Sequence, residues 1–128
     1  MTDPLELTIP AESAELRALR HQIDIWAGPY LPDAVLQDLK LAITEACANA
    51  VVHSGTQEVR VSVRFVDDCV EVVVEDDGIY RELLSSADDD SDAHRGLALM
   101  AALVDDLTLY PGTESRVGTT VRMRKCLA

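Results

Sequence analysis

The chain has 128 residues, a length that predicts a single domain spanning 1–128 with a buried core. Apolar residues make up 48% of the chain and the formal net charge is −12, which argues against nonspecific nucleic-acid binding because such binding needs a cationic surface. The sequence contains no stretch typical of a leader peptide or a membrane span, so we expect a cytoplasmic protein with no membrane partner.

The first part of the chain predicts a strand followed by two helices. Residues 5–10 alternate between apolar and polar side chains and end at a proline, as a short strand does. Helical spacing follows over residues 11–27 and stops at a Gly-Pro pair. A second helix is predicted from Asp33, its predicted N-cap, to about His53, because Gly55 shortly afterwards can take the left-handed conformation that ends helices.

A β-hairpin is predicted next, over residues 59–75. Apolar and polar residues alternate on both sides of Asp67-Asp68, and a two-residue turn there places Arg64 opposite Glu71. One register therefore satisfies both faces of the hairpin, with opposite charges on one face and apolar side chains on the other. The same register pairs Arg60 with Glu75, Phe65 with Val70, Val63 with Val72 and Val61 with Val74.

The last third of the chain predicts a loop, a helix and two strands. Residues 79–94 lose periodicity and carry an acidic run, so they predict a mobile loop. A short helix is predicted from Gly96 to about Val104, followed by strands near 106–110 and 117–124. The element order predicts an α/β (α+β) two-layer sandwich, in which a mixed, mainly antiparallel sheet carries the helices on one face.

The three cysteines, Cys47, Cys69 and Cys126, lack the spacing of a zinc site. Their odd number favours buried or free thiols over a disulfide framework. Cys47 is predicted to be a small core residue of the second helix.

Glu45 and Asn49 are the first candidates for chemistry. They lie four residues apart on the second helix, so their side chains stack on one face at the margin of the apolar stripe. An amide oxygen can ligate Mg²⁺, and a carboxylate can orient or deprotonate a nucleophile. The alternative is an ordinary solvated helix edge, and the pair alone does not decide between the two.

Three further motifs follow at element ends. Asp76 ends a strand two residues before Gly78. Its carboxylate can accept a hydrogen bond from a ligand amine, and the glycine lets the backbone approach that ligand closely. The alternative is an ordinary acidic turn after a strand. Gly96 opens the predicted helix, where free N–H groups can bind phosphate. The alternative is that this glycine only allows the chain to enter the helix tightly. Gly118 and Thr119 lie in the last strand, where they suggest ligand contact or plain β-propensity.

Together these motifs resemble the nucleotide-binding fold of the GHKL ATPases, the Bergerat-type ATP-binding fold. The chain is most similar to the small bacterial anti-sigma-factor serine kinases, over essentially its full length. The N box resembles residues 45–50, the first glycine box 76–78, the second glycine box 95–100 and the closing element 118–121. No phosphoacceptor-helix domain precedes these boxes, which disfavours a fragment of a histidine-kinase system.

The resemblance implies ATP and Mg²⁺ as cofactors and gives each matched residue a role. Asn49 would hold Mg²⁺, and Glu45 would act as general base or orient the attacking hydroxyl. Asp76 would bind the adenine amino group, Gly78 would leave room for the base, and Thr119 would assist there.

The resemblance also implies phosphate contacts and protein partners. Arg95, Gly96 and Leu97 would meet the phosphates, and residues 79–94 would form the ATP lid. The family phosphorylates a serine of a small anti-anti-sigma (STAS-type) protein, and it sequesters a sigma factor when that partner is absent. A homodimer is implied by the same precedent.

Two residues depart from the family pattern, and they support an alternative function. Tyr80 and His94 stand where the family has glycine, and both restrict the backbone where lid and phosphate must meet. The acidic run over 88–92 would also repel a triphosphate. The alternative is a non-catalytic regulator that keeps the fold and binds nucleotide weakly or not at all. His53 extends the Glu45 edge by another turn and is predicted to pack at the helix end.

Overall fold

The computed structural model describes residues 2–79 and 92–127, and within them five strands and three helices follow one another in the predicted order. No helix in these described ranges is long and apolar enough to cross a membrane. The elements are β1 (Leu5–Pro10), α1 (Glu15–Ala27), α2 (Asp33–Asn49), β2 (Glu58–Val66), β3 (Cys69–Asp76), α3 (Asp92–Leu103), β4 (Asp106–Tyr110) and β5 (Thr119–Cys126).

The strands form one sheet in the order β1-β2-β3-β5-β4. Every neighbouring pair in the described sheet is antiparallel, so the predicted two-layer α+β architecture with a mainly antiparallel sheet is confirmed, and none of the described strand pairs is parallel. Strand β5 enters between β3 and β4 and runs antiparallel to both neighbours. The adjacency of β3 and β5 brings two distant parts of the sequence together.

The hairpin of β2 and β3 has the predicted register. Arg64 lies opposite Glu71 and Phe65 opposite Val70, and the Arg64–Glu71 ion pair measures 3.4 Å between Nη2 and Oε1. Asp67 takes a positive φ of 54°, which allows the two-residue turn despite the absence of glycine.

The core lies between the helices and one face of the sheet. Alternate residues of the central strands point inward, and α2 packs against β3 and β5 through a fully buried stripe. Burial of this stripe removes large apolar areas from water and holds α2 firmly on the sheet. The stripe consists of Leu39, Ala42, Ile43, Ala46 and Cys47, and the strand residues facing it include Val61, Val63, Val72, Val74 and Val121.

Both ends of α2 refine the prediction. Pro32 occupies the capping position and Asp33 is the first helical residue, so the prediction of Asp33 as N-cap is wrong. After Asn49 the backbone continues as a π-helical turn over Ala50–Ser54. Gly55 then adopts a φ of 75°, which confirms the predicted left-handed helix end.

Helix α3 begins earlier than the sequence suggested. It starts at Asp92 rather than Gly96, because Ala93 and Met100 share a buried face and thereby extend the apolar stripe backwards. His94, read as a loop residue before the helix, is instead part of it. The predicted mobile loop falls mostly on residues 80–91, which lie outside the described residues, as does Tyr80.

The structure corrects the prediction for two of the cysteines. Cys69 and Cys126 lie opposite each other on β3 and β5 and are joined by a disulfide bond. The 57 residues between them in the sequence hide this juxtaposition, because only the sheet order creates it. Cys47 is free and fully buried, which confirms its predicted role as a small core residue.

Candidate functional site

Glu45 and Asn49 lie where α2 faces α3. The Asn49 side chain is buried, and its Nδ2 donates a hydrogen bond to the carbonyl oxygen of Ala93 at 3.4 Å. This bond orients the carboxamide, so that Oδ1 remains the available acceptor of the group. The predicted metal ligand is therefore held in place by the first turn of α3.

Gly96 determines how closely α3 approaches the Glu45–Asn49 edge. A Cβ atom at position 96 would lie 2.9 Å from Asn49 Nδ2 and 3.1 Å from Glu45 Oε2. The first distance is one that real Cβ atoms essentially never show, and the second is tighter than most real Cβ contacts. The side chains of Glu45 and Asn49 therefore occupy the space that a side chain at position 96 would need. The structure thus brings Glu45, Asn49 and Gly96 together.

The predicted phosphate contacts all fall within α3. In the described residues this helix covers Asp92–Leu103, so Arg95, Gly96 and Leu97 are helical residues and not loop residues. Arg95 and Gly96 lie beside Glu45 and Asn49, whereas Leu97 is partly buried and packs against the core. The structure therefore brings Arg95 and Gly96 to the Glu45–Asn49 edge.

An open cleft of about 360 Å³ runs along the seam between α2 and α3. Glu45 lines this cleft and is only half-buried, so its side chain is accessible to solvent. His53 also lines this cleft and does not pack away from it. The lining consists of Glu45, Ala48, Asn49, Val52, His53, Arg95, Gly96 and Leu99.

Asp76 and Thr119 form a second polar group at the end of β3 and β5. They are direct partners across the two strands and are only 3% and 1% exposed. The Asp76 carboxylate accepts a hydrogen bond from the Gly78 N–H at 2.7 Å. The Thr119 hydroxyl oxygen accepts one from the Gly112 N–H at 2.8 Å. The structure therefore brings the predicted residues Asp76, Gly78 and Thr119 together.

Gly78 lies against the end of α2. A Cβ atom at position 78 would lie 2.7 Å from Ser54 Cβ and closer still to the Ser54 carbonyl, so no side chain fits there. The same carbonyl accepts a hydrogen bond from the Ile79 N–H at 3.0 Å. The π-helical turn after Asn49 consequently ties the Asp76 group to the Glu45–Asn49 edge.

Cys47 is a core residue of α2 that also senses the charge of the Asp76 group. Burial raises the pKa of the Cys47 thiol from 9.0 to about 12, and the negative charge of Asp76 adds to this effect. The thiol is thus neutral and lies within the electrostatic reach of Asp76. This fully buried side chain of α2 therefore lies close enough to Asp76 to sense its charge.

The donor set fits a nucleotide bound through Mg²⁺. In the described ranges, no group of three or more His, Cys, Asp or Glu side chains could hold a metal by itself. Mg²⁺ commonly uses one or two protein oxygens and completes its octahedron with phosphate oxygens and waters. The oriented Asn49 Oδ1 fits that mode, and the buried Asp76 carboxylate fits an exocyclic amine.

The sequence profile of the Histidine kinase-like ATPase domain matches residues 9–125, and the chain therefore belongs to this family. Two proteins named Serine-protein kinase RsbW are among its relatives, each aligned over 98% of this chain and 86% of its own length. The protein of Bacillus velezensis is 34% identical and that of Bacillus subtilis 30%. These matches confirm the predicted resemblance to this kinase family.

Solved structures show the same fold. The histidine kinase domain of the Erythrobacter litoralis EL346 blue-light activated histidine kinase aligns with a TM-score of 0.58 and 20% identity, over 93% of this chain and 62% of its own. The Acinetobacter baumannii histidine kinase AdeS aligns with a TM-score of 0.55 and 9% identity, over 99% and 68%. The predicted ATPase-type fold is thereby confirmed.

Proposed function

We propose that this protein is an ATP- and Mg²⁺-dependent serine protein kinase that acts as an anti-sigma factor in the cytoplasm. It phosphorylates an anti-anti-sigma protein of the STAS type and sequesters a sigma factor. The observation that carries the proposal is the convergence of Glu45 and Asn49 on the bare backbone of Gly96, beside the buried Asp76 group. The relatives named as serine-protein kinases support the choice of serine as acceptor.

Nucleotide binding is assigned to the Glu45–Asn49 edge and to the Asp76–Thr119 group. Asn49 Oδ1 would hold Mg²⁺, which when bound neutralises charge on the phosphates. Asp76 accepts a hydrogen bond from the adenine amino group, Gly78 leaves room for the ring, and Thr119 assists through its hydroxyl. The desolvated position of Asp76 strengthens such a hydrogen bond, because water does not compete for the carboxylate.

Glu45 is the proposed catalytic residue. Its carboxylate lines the open cleft, where a serine hydroxyl of a partner protein can reach it. The serine oxygen attacks the γ-phosphorus as the bond to the bridging oxygen breaks, ADP leaves, and the hydroxyl proton passes to Glu45. Such positioning converts a weak nucleophile into a reactive one without a covalent enzyme intermediate.

The phosphates are assigned to the start of α3. Arg95 contributes its guanidinium, and Gly96, which has no side chain, lets the phosphates approach the helix backbone. Leu97 belongs to the proposed phosphate contacts through the family resemblance. Residues 79–94 form the ATP lid within a single domain of residues 1–128. A homodimer is part of the proposal, by the precedent of the family.

The second candidate is the non-catalytic regulator. Two observations favour it: Asn49 already donates to the Ala93 carbonyl, and His94 lies inside α3 where the family has glycine. In that case α3 remains helical from Asp92, and the protein sequesters its partner without turnover. Nucleotide binding distinguishes the two candidates directly.

The test is calorimetric titration of ATP into the full chain, with and without Mg²⁺, followed by transfer of labelled phosphate to purified STAS-domain proteins. We expect Mg²⁺ to strengthen ATP binding, and we expect label on a serine-containing partner but not on its Ser→Ala variant. No binding at millimolar ATP with Mg²⁺ would leave the non-catalytic regulator as the function.

A further inference from the structure

The disulfide between Cys69 and Cys126 lies on the face of the sheet that carries no helices. Glu71 and Arg124, the next pair on that face, are directly opposite each other, and both cysteines are half-buried rather than enclosed. A small thiol reagent can therefore reach the bond from solvent. The bond also lies at the opposite end of β3 and β5 from Asp76 and Thr119.

The backbone around the bond is held by hydrogen bonds that do not depend on it. The Leu127 N–H donates to the Asp68 carbonyl at 2.9 Å, and the Cys126 N–H donates to Asp105 Oδ2 at 2.6 Å. Together with the β3–β5 ladder, these contacts keep the two cysteine backbones adjacent whether the sulfurs are bonded or reduced. Oxidation and reduction thus need no rearrangement of the fold, and the paired thiols have a high effective concentration.

We propose that Cys69 and Cys126 form a reversible redox modification site, whose substrate is a dithiol reductant of the cell. The proposal rests on accessibility, on the preformed pairing and on the cytoplasmic location assigned under the proposed function. In a reducing compartment, disulfides that form are typically transient and redox-sensing rather than permanent. The site is separate from the nucleotide site and does not use its residues.

The exchange is balanced as a two-electron step. A thiolate of the reductant attacks one sulfur, the intramolecular bond breaks, and the departing cysteine takes a proton from water. The second thiol of the reductant then attacks the mixed disulfide, which releases the other cysteine as a thiol and oxidises the reductant to its disulfide. The protein gains two electrons and two protons in total.

The third cysteine does not interfere with this exchange. Cys47 is fully buried at the other end of the fold, and burial raises the pKa of its thiol to about 12. Because the thiolate is the reactive form, Cys47 is inert at neutral pH in the folded protein. Thiol chemistry of the native chain is therefore confined to Cys69 and Cys126.

The test is a redox titration of the native full chain in mixtures of reduced and oxidised dithiothreitol. Free thiols are trapped with acid and alkylated, and the alkylated cysteines are counted and located by mass spectrometry. We expect Cys69 and Cys126 to change together and reversibly, with circular dichroism unchanged. We also expect the oxidised form to melt about 5–15 °C above the reduced form, because the bond closes a long loop of the unfolded chain.

Two variants serve as controls. The Cys69→Ser/Cys126→Ser double variant should melt like the reduced wild type and ignore the redox buffer, whereas Cys47→Ala should keep the full redox shift. Three alkylatable thiols at every buffer ratio, a bond that is reduced only after denaturation, or equal melting temperatures of the two forms would each overturn the proposal. None of these readouts uses nucleotide, so they fail or succeed independently of the kinase proposal.

Discussion

The two sides of the candidate site are built differently. On one side, α2 and β3 present the functional groups of Glu45, Asn49 and Asp76, which we call the side-chain wall. On the other, α3 presents the carbonyl of Ala93 and the bare Cα of Gly96, which we call the backbone wall. The side-chain wall contributes carboxylate and carboxamide groups. The backbone wall contributes a carbonyl oxygen and the space left by the missing side chain of Gly96.

The difference decides what each wall can tolerate. A conservative substitution on the side-chain wall removes one functional group and leaves the fold intact. A substitution on the backbone wall adds atoms, and these displace the groups on the opposite side without changing any of them chemically. The predictions below separate these two kinds of failure.

The largest effect is expected for Glu45→Ala. If Glu45 is the general base, phosphoryl transfer to the partner serine should fall by about 10²–10⁴, because only the proton acceptor is lost. ATP affinity should be nearly unchanged, since Asn49 and Asp76 remain. Single-turnover transfer assays and calorimetry on the same preparation measure the two quantities.

Asn49→Ala is the comparison variant for Glu45→Ala. It removes the proposed metal ligand and the hydrogen bond to the Ala93 carbonyl, so Mg²⁺-dependent affinity and transfer should be lost together. Equal losses of ATP affinity in both variants would show that Glu45 acts structurally, and the side-chain wall would then be smaller than proposed.

A smaller loss is expected for Asp76→Asn, which keeps the shape of the side chain and removes its charge. A hydrogen bond to a charged group contributes about 1.5–3 kcal/mol, so affinity for ATP should fall by about tenfold or more. Asp77→Asn is the matched control, because Asp77 is exposed and pairs with Arg60 at 3.1 Å on the surface. If both variants bind equally poorly in calorimetry, the loss reflects general charge and not an adenine contact.

Much of the fold followed from the sequence because its signals are local. The hairpin register was predictable because charge pairing and apolar pairing agree in one alignment, as Arg64 with Glu71 shows. Glu45 and Asn49 were predictable as neighbours because helical spacing alone places them together. Asp76 and Thr119 were grouped only through the resemblance, since their contact depends on β5 lying beside β3.

The sequence could not reveal features that depend on packing between distant segments. The sequence predicts that Gly96 opens a helix, whereas its actual constraint is the proximity of Glu45 and Asn49 across two helices. The pattern does not place Asp92 in α3, because His94 and Arg95 interrupt the visible apolar stripe. Cysteine spacing does not predict the Cys69–Cys126 bond, because the order of strands in the sheet has no signature in that spacing.

The backbone wall is tested by Gly96→Ala. In an unhindered helix interior this change stabilises by about 0.5–1 kcal/mol. Here the new Cβ would displace the mobile ends of Asn49 and Glu45, so we expect unchanged or slightly higher thermal stability but ATP affinity lower by about tenfold. Calorimetry and thermal melting of the same variant measure both effects.

Ala101→Gly in the exposed part of α3 gives the opposite pattern and serves as the control for Gly96→Ala. It should lower stability by about 1 kcal/mol through backbone entropy and leave ATP affinity unchanged. Wild-type ATP affinity in Gly96→Ala would show that the backbone wall does not constrain the site, and the contrast between the two walls would disappear.

The smallest effect concerns Cys47, at the inner edge of the side-chain wall. Its thiol has a pKa of about 12 in the folded chain against 9.0 for the free group, because burial and the charge of Asp76 oppose ionisation. The folded pKa is raised, so this contribution to stability is complete below pH 9 and is lost as pH rises from 9 towards 12.

Denaturant unfolding at pH 7 and pH 10 should therefore show an additional loss of about 1 kcal/mol in the stability of the wild type relative to Cys47→Ala. The comparison uses the change with pH within each protein, which cancels the cost of the cavity that alanine leaves. Identical pH dependence in the two proteins would show that burial and the charge of Asp76 do not raise the pKa of this thiol.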